Sequence, residues 1–371
     1  MVNHLGNWRN GELGNFITLK RGFDLPQQKR EDGQVPIFSS SGITGTHSTA
    51  MVNAPGVITG RYETIGEVFY AAEDFWPLNT TLFVEDFHGN DAEFIYYFLK
   101  TLEWSKFTSA SAVPGINRNT VHKETVSLPD IETQRRIAST LSMLDEKIKT
   151  NTEINDNLYA QAKAIFDNHF INIDAIPAGW RKSNLLDIAN YLNGLAMQKF
   201  RPQGNEIGLP VLKIKELRQG SCDDSSELCS LRIKPEYIIH DGDVIFSWSG
   251  SLLVDIWCGG TCGLNQHLFK VTSDIYDKWF YYLWTAHHLA RFIAIAADKA
   301  TTMGHIKREE LAKAEVLIPC EEDYTSLTSI MQPIFELIIS NRIEARKLAA
   351  LRDELLPKLM SGEIDVSAIQ L

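Results

Sequence analysis

The stretch "LPDIETQRRIASTLSMLDEKIKTN", residues 128–151, has a proline at its second position and continues with the composition of a long helix. Proline is compatible with the first turn of a helix, and Asp130 and Glu132 suit the positive N-terminal end of the helix dipole. A second stretch of this kind starts at Pro319 and closes at Gly362, a residue type that often follows a helix. We therefore predict two long helices of about 40 residues, each about 60 Å in length.

Both stretches space apolar residues alternately by four and three, which is the heptad pattern of a coiled coil. The first seam consists of Ile137, Leu141, Leu144, Ile148, Asn151, Asn155, Leu158, Ala162 and Ile165. The second consists of Ile330, Ile334, Leu337, Asn341, Ala345, Leu348, Arg352, Leu355 and Leu359. Asn151 and Asn341 occupy equivalent positions, where a buried Asn fixes the register and an exposed Asn would indicate a frayed helix.

The remainder of the chain is duplicated. "APGVITGRY" at 54–62 parallels "HDGDVIFSWSG" at 240–250, and "PLNTTLFV" at 77–84 parallels "GLNQHLFKV" at 263–271. The repeat of about 190 residues is far longer than the roughly 20–45 residues of a solenoid unit. The pattern predicts a duplicated domain followed each time by a long helix.

The predicted fold class is α+β: two similar mixed α/β domains separated by two long helices that form an antiparallel coiled coil, with a pseudo-two-fold internal repeat. Antiparallel pairing follows because the second helix must return from the second domain. The predicted segments are domain 1 at 1–128, the first helix at 129–172, domain 2 at 173–318, the second helix at 319–362 and a tail at 363–371.

Composition excludes several classes of protein. No apolar run reaches the roughly 20 residues that span a bilayer, and the N-terminus lacks the pattern of a signal peptide. We therefore expect a cytoplasmic protein with no membrane partner. The cysteines are odd in number, five among 371 residues, which argues against a disulfide framework. Their spacing fits a structural zinc site poorly, so buried free thiols are favoured over a metal.

Signatures of catalysis are also missing. The sequence contains no phosphate-binding loop, no dinucleotide fingerprint, no G-x-S-x-G and no H-E-x-x-H. The pair His287–His288 lies in an aromatic, apolar helix and suits a core position better than a metal site. Without a catalytic motif, the remaining class of function is recognition of another molecule. Two similar domains could read two half-sites of a DNA duplex. The net charge of −11 weakens this reading without excluding it, because one face of a domain can still be basic.

The order of these motifs resembles the DNA-specificity subunit of type I restriction–modification systems. The resemblance is carried by "LPDIETQRRIASTLSMLDEKI" after a mixed domain, by "PLNTTLFV" and "GLNQHLFKV", by "SAVPGINR" before the first helix, and by "LRDELLPKLMSGEIDV" at the end. It covers nearly the whole chain. The second helix departs from the first, because "CEEDYTSLTSI" after Pro319 lacks "ETQRRI", which puts equal docking of two partner subunits in doubt.

The resemblance implies a non-catalytic subunit with two target recognition domains, each reading one half of a bipartite, asymmetric site on double-stranded DNA. It implies that the coiled coil sets the gap and docks two modification subunits, which carry S-adenosylmethionine and methylate adenine after base flipping. Restriction subunits would supply ATP- and Mg²⁺-dependent translocation and cleavage. No cofactor is expected on this chain.

Residues that could touch DNA are basic, amide and small hydroxyl side chains beside turn glycines. In domain 1 they are Lys20, Arg21, Ser39, Ser40, Ser41, Gly60, Arg61, Asn117 and Arg118. In domain 2 they are Gln198, Lys199, Arg201, Lys213, Lys215, Ser247, Ser249, Gly250, Ser251, Thr301, Thr302, His305 and Lys307. We further expect a β-strand over 211–217 that places Lys213 and Lys215 on one face.

Two alternatives stay open. The first is a stand-alone DNA-binding scaffold of the same shape that works without restriction or methylation partners. The second is a coiled-coil enzyme whose catalytic site is too diffuse to recognise in the sequence.

Overall fold

The structure is a computed structural model that describes residues 8–108, 114–298 and 306–367. The chain divides into two compact units. Unit 1 consists of Met1–Glu146 and Ala349–Leu371, and unit 2 consists of Lys147–Leu348. Each long helix contributes one part to each unit.

Unit 1 contains a mixed domain. Its strands are β1 (Arg9–Glu12), β2 (Thr18–Arg21), β3 (Val35–Ser39), β4 (Gly42–His47), β5 (Gly56–Gly60), β6 (Val68–Ala71), β7 (Trp76–Pro77), β8 (Thr81–Asp86) and β9 (Thr125–Leu128). Its helices are α1 (Ala92–Lys100), α2 (Arg118–Val121) and the first part of α3 (Ile131–Phe166). The main sheet has the order β2-β8-β5-β6, β3 pairs with β4 and in parallel with β7, and β1 pairs with β9.

Strand β5 is the centre of this domain. All five of its residues are buried, because the strand is covered on both faces. Helix α1 packs on β5 and β6. Its N-cap residue is Asp91, whose carboxylate accepts a hydrogen bond from Phe94 N at 2.9 Å. The strand therefore ends at Gly60 in a fixed position, from which the chain leaves into the turn that carries Arg61.

Unit 2 repeats the arrangement. Its strands are β10 (Arg181–Asn184), β11 (Asn190–Asn193), β12 (Leu209–Leu212), β13 (Leu228–Cys229), β14 (Ile238–Ile239), β15 (Val244–Ser247), β16 (Leu253–Ile256), β17 (Cys262–Leu264), β18 (Leu268–Thr272) and β19 (Glu315–Ile318). Its helices are α4 (Leu185–Ile188), α5 (Ile214–Gln219), α6 (Lys278–His287), α7 (Leu289–Asp298), α8 (Arg308–Ala312) and most of α9 (Glu321–Met360).

The pairing of strands follows that of unit 1, except that β14 adds a fourth strand beside β17. The main sheet has the order β11-β18-β15-β16, β12 pairs in parallel with β17, and β10 pairs with β19 as β1 pairs with β9. The duplication read from the sequence is therefore confirmed as a duplication of the fold.

The two long helices pair antiparallel within each unit. In unit 1, Arg352 near the end of α9 donates to Asp145 of α3 at 2.5 Å. In unit 2, Asn151 of α3 donates to Glu344 of α9 at 2.7 Å. Asn151 and Asn341 are 1% and 9% exposed, so both lie in the seam as predicted. The α+β fold class with two similar domains and antiparallel long helices is confirmed.

One part of the predicted seam is wrong. Ile330 and Leu337 are 50% and 46% exposed, and the buried residues of this segment are Leu327, Met331, Phe335 and Ile338. The cause is the domain of unit 2, which offers an aromatic surface to the first turns of α9. The Phe335 ring lies 5.6 Å from that of Tyr282. Packing against the domain therefore sets the buried face there, and the heptad pattern holds only from Asn341 onward.

A second local prediction is also wrong. The expected strand over 211–217 ends at Leu212, and α5 begins at Ile214. The backbone N–H of Lys213 donates to Glu216 Oε2 at 3.2 Å, which favours the start of a helix at this point. Lys213 and Lys215 therefore do not share a strand face.

Candidate nucleic-acid interface

The basic candidates of domain 1 meet in one groove of unit 1. The groove has a volume of about 750 Å³, and its lining includes Lys20, Arg21, Arg61, Asn117 and Arg118. These residues come from β2, from the turn after β5 and from the start of α2. Residues far apart in sequence are thus brought to one concave, cation-rich surface, which suits a phosphate-bearing ligand.

Arg61 is held in place by its own backbone and side chain. Its N–H donates to Thr80 O at 3.0 Å, and its carbonyl accepts from Ile116 N at 3.1 Å. The side-chain Nε donates to Ile116 O at 3.4 Å, and the guanidinium carbon lies 4.7 Å from the centre of the Tyr62 ring. A guanidinium that is oriented before binding loses less entropy when it forms two parallel hydrogen bonds.

Glycine at position 115 makes the stack of Arg61 on Tyr62 possible. A Cβ added at Gly115 would lie 2.4 Å from Tyr62 Cε1, a distance that no side chain tolerates. Gly60 is buried as well, and a Cβ there would lie 2.2 Å from Thr64 O. Internal packing by itself therefore requires a glycine at position 60.

The four cations of the groove differ in their partners. Lys20 forms an ion pair with Glu85, and Arg21 lies 3.9 Å from Asp24. Within the described residues, Arg61 and Arg118 form no ion pair, so their charge is not compensated locally. Arg118 is exposed and Arg61 is half-buried. These two arginines are the strongest candidates for contact with an anionic ligand.

His122 supports the strand that carries Lys20 and Arg21. Its Nε2 accepts a hydrogen bond from Leu19 N at 2.9 Å. Burial and the nearby Arg118 lower the pKa of His122, which keeps the ring neutral and able to accept. The histidine therefore stabilises the position of β2, the strand that carries Lys20 and Arg21.

The serine candidates of domain 1 lie on the turn between β3 and β4. Ser39 Oγ donates to Gly42 O at 3.0 Å and accepts from Ser41 N at 3.3 Å, which fixes the turn. Ser41 is exposed, whereas Ser40 is 3% exposed. Only Ser39 and Ser41 keep hydroxyl groups within reach of solvent, so the buried Ser40 does not suit direct contact with DNA.

In unit 2 the turn after β15 is equivalent to the turn after β5. Ser247 is fully buried, and its hydroxyl donates to Ser251 O at 2.9 Å, so it holds the turn together. Ser249 is 2% exposed, while Gly250 and Ser251 are exposed at the tip, where Gly250 has a φ of +66°. The buried side chains of Ser247 and Ser249 therefore suit direct contact with DNA less well than the exposed Gly250 and Ser251.

The other basic candidates of domain 2 are compensated by acidic neighbours. Lys213 and Arg201 both contact Glu227, at 2.6 Å and 3.1 Å, and Lys215 lies 3.1 Å from Asp223. Lys213 is the first cause of the lowered pKa of Glu227, which keeps this carboxylate charged. The loop that carries Asp223 and Glu227 is thus the ion-pair partner of the basic residues predicted for domain 2. Gln198 and Lys199 are exposed on a short 3-10 turn.

The structure also reveals residues that the sequence reasoning missed. Trp248 follows β15 as Arg61 follows β5, and its Nε1–H donates to Asn193 Oδ1 at 3.0 Å. Arg308 starts α8 as Arg118 starts α2, and it is exposed. The alignment of "TGRY" with "SWSG" was the available signal for Trp248. Lys307 is exposed beside Arg308, while Thr301, Thr302 and His305 lie outside the described residues.

No cluster of His, Cys, Asp or Glu in the described ranges has the makeup of a metal site. The five cysteines are free, and burial raises the pKa of the Cys258 thiol to about 11. His288 is 9% exposed, and its Nε2 lies 2.8 Å from Glu315 O.

Among the described residues no helix is long and apolar enough to cross a membrane.

Comparison with known proteins identifies the family. The family described as "Type I restriction modification DNA specificity domain" matches residues 6–160 and 177–351, once for each copy of the repeat. The chain belongs to this family. The prediction of a specificity subunit, and not of the catalytic chain of an enzyme, is confirmed by this membership.

Individual members of the specificity family are similar over most of their length. The MjaIX specificity subunit of Methanocaldococcus jannaschii is 26% identical over 310 residues, which cover 76% of this chain and 71% of that protein. The HindI specificity subunit of Haemophilus influenzae is 20% identical over 354 residues, covering 73% and 77%. The crystal structure of an S subunit from M. genitalium aligns over 97% of both chains with a TM-score of 0.63 and 15% identity, a likeness of fold.

Proposed function

We propose that this chain selects the DNA site of a type I restriction–modification complex by reading a bipartite, asymmetric sequence. Each domain reads one half, and the paired helices set the gap between the halves and dock two modification subunits. The chain carries no chemistry of its own in this proposal. Methyl transfer from S-adenosylmethionine and ATP- and Mg²⁺-dependent cleavage belong to the partner subunits.

The groove of unit 1 is the observation that carries this proposal. It gathers Lys20, Arg21, Arg61 and Arg118 from three separate stretches of sequence, in a chain whose net charge is −11. An acidic protein that concentrates cations on one surface, two of them without an ion-pair partner among the described residues, has a local potential suited to a polyanion. In the duplicated fold of unit 2, Lys307 and Arg308 lie at the start of α8 as Asn117 and Arg118 lie at the start of α2.

The unlike contents of the two domains support an asymmetric site. Identical domains would favour a symmetric sequence, because a two-fold protein matches a palindrome. Here the equivalent turns carry Arg61 in one domain and Trp248 in the other. The two half-sites therefore differ in sequence.

The paired helices support the role of a spacer. Within unit 2 the buried pair Asn155 and Asn341 fixes one register, and α9 is a continuous helix of 40 residues. Many acidic side chains lie on the outer faces, among them Glu321 and Glu322, which suits docking of partner proteins. The departure of the α9 start from the "ETQRRI" of α3 predicts that the two modification subunits dock unequally.

The decisive experiment is sequencing of methylated adenine in cells that carry or lack this gene. We expect methylation at a single bipartite motif with a constant gap, and loss of that motif in the deletion strain. Gel filtration with a co-expressed modification subunit provides the second readout. An unchanged methylome together with absence of a complex would replace the proposal by a stand-alone DNA-binding scaffold.

A further inference from the structure

Arg61 and Trp248 occupy the same position in the duplicated fold. Arg61 N donates to Thr80 O at 3.0 Å and Arg61 O accepts from Ile116 N at 3.1 Å. Trp248 N donates to His267 O at 3.4 Å and Trp248 O accepts from Ile306 N at 3.0 Å. Each residue therefore leaves its central strand with the same backbone connections, and the side chains alone differ.

A second pair of equivalent positions carries the same residue. Arg118 lies two residues after Ile116 and starts α2, and Arg308 lies two residues after Ile306 and starts α8. Both side chains are exposed. Arg308 Nη1 donates to Tyr191 O at 3.2 Å, and the ion pairs of the described residues include neither Arg118 nor Arg308. Both keep guanidinium groups that can reach an anion.

The chemistry of DNA indicates that these two pairs of residues contact different parts of the duplex. Phosphates are identical at every step of a duplex, whereas base edges differ from site to site. A duplicated reader of DNA keeps the residues that hold the common backbone and changes those that meet the bases. Positions that are alike between the two domains then mark phosphate contacts, and positions that are unlike mark base contacts.

We propose that Arg61 and Trp248 are the equivalent but unlike base-reading residues of the two domains, and that Arg118 and Arg308 are matched phosphate contacts. The proposal deepens the proposed function and rests on it. Arg61 reads a guanine, because a fixed guanidinium fork matches the O6 and N7 acceptors of that base. Trp248 lacks this fork, so the second half-site has no guanine requirement at the equivalent base pair.

The surroundings of both side chains agree with these roles. The plane of Arg61 is set by the Tyr62 ring at 4.7 Å and by the hydrogen bond to Ile116 O. The indole of Trp248 lies 5.6 Å from the Phe269 ring, and its Nε1–H is occupied by Asn193 Oδ1 at 3.0 Å. An indole is an apolar group of the kind that suits contact with the methyl group of thymine.

The test is selection of bound sequences from a randomised duplex library by the full chain assembled with its modification subunits. The variants are Arg61→Ala, Arg61→Lys, Trp248→Ala, Arg118→Ala and Arg308→Ala, with Lys100→Ala as an exposed cation that does not line the groove. We expect Arg61→Ala and Arg61→Lys to lose about 5- to 140-fold discrimination at one guanine of one half-site. Trp248→Ala should relax one position of the other half-site.

Arg118→Ala and Arg308→Ala should keep both consensus halves, weaken binding to every sequence alike and lower the salt slope by about 0.9 each. The lysine variant separates the roles of Arg61, because Lys retains a phosphate contact but loses a bidentate base contact. If Arg61→Lys binds and discriminates as the wild type does, or if Arg61→Ala weakens all sequences equally, the inference is wrong while the proposed function stands. If the wild-type complex selects no motif at all, the proposed function itself fails.

Discussion

Asn341 donates a hydrogen bond from its side-chain nitrogen to Asn155 Oδ1 at 3.0 Å, across the paired helices of unit 2. Asn155 in turn donates to Ile338 O at 3.1 Å, and both asparagines are 9% exposed. A polar pair in an otherwise apolar seam is satisfied only in one register, because a slip by one turn would leave both amides unpaired. The pair thus makes the alignment of the helices specific.

A double-mutant cycle tests this coupling. Asn341→Ala leaves Asn155 Oδ1 buried without its donor, and we expect it to lower the free energy of unfolding by about 1–3 kcal/mol. The double variant with Asn155→Ala should be less destabilised than the sum of the single changes, by about 1 kcal/mol. Urea unfolding of the full chain measures both. Asn157→Ala, at an exposed position of α3, is the control and should combine additively; strict additivity for the buried pair would contradict the coupling.

Arg346 and Asp241 fix α9 to the domain of unit 2. The guanidinium donates to both carboxylate oxygens at 2.8 Å and to Cys258 O at 2.7 Å. Burial by itself would raise the pKa of Asp241, but the hydrogen bond and charge of Arg346 outweigh it and hold the pKa below its usual range. Stability from this pair is present above the unfolded pKa of about 3.9 and is lost as the pH falls through the lower folded value.

We therefore expect Asp241→Asn to destabilise unit 2 by about 2 kcal/mol at neutral pH. The difference from the wild type should shrink below about pH 4 and vanish at lower pH, where the wild-type carboxyl is protonated too. Thermal unfolding over a pH series checks this, with the exposed Asp174→Asn as the control. A difference that stays constant down to the most acidic conditions would rule out the ion pair as its cause.

We predict that Tyr62 acts as a positioning residue for Arg61, because its ring lies 4.7 Å from the guanidinium carbon. Tyr62→Leu removes the ring on which the guanidinium rests, and we expect the loss of about 0.5–1 kcal/mol of discrimination in one half-site. Tyr62→Phe keeps the ring and removes only the hydroxyl, so its discrimination should equal that of the wild type. Competition binding with matched and base-substituted duplexes measures the difference. An equal loss of discrimination in both variants would show that the hydroxyl group of Tyr62, and not the stacked ring, orients Arg61.

The lysines of unit 2 that form ion pairs with acidic side chains should contribute little to DNA binding. Lys215 already pairs with Asp223 and hydrogen-bonds to Ser225 Oγ at 2.7 Å. Lys215→Ala is expected to leave the salt slope of binding unchanged, whereas loss of a phosphate contact lowers it by about 0.9. Arg308→Ala in the same unit provides the contrasting variant. A fall of the slope in Lys215→Ala would restore this lysine as a DNA contact.

The spacer role predicts a change of site geometry. Insertion of one heptad into each long helix lengthens the helices by about 10 Å, which corresponds to about 3 base pairs at 3.4 Å each. We expect the methylated motif to keep both half-site sequences and to widen its gap by about this amount. Methylome sequencing gives the answer directly. An unchanged gap in a folded, assembling variant would exclude the helices as the ruler.

Much of this architecture was decided by the sequence. The heptad spacing from Ile137 to Ile165, the prolines at 129 and 319 and the repeated strand-turn motifs are local patterns, and local patterns determine helices and their duplication. The aligned turns "TGRY" and "SWSG" also singled out Arg61, which lines the groove of unit 1. These features depend on which residues follow one another along the chain.

Only the tertiary structure decided which residues are available to a ligand. Lys213 and Arg201 are engaged in ion pairs with Glu227, Ser247 is buried, and the first turns of α9 bury Met331 and Phe335 instead of Ile330 and Leu337. Each outcome depends on a neighbour distant in sequence, an acidic loop in one case and the aromatic surface of α6 in another. Burial and ion pairing depend on which residues are close in space, and the spacing of residues along the chain does not predict these contacts.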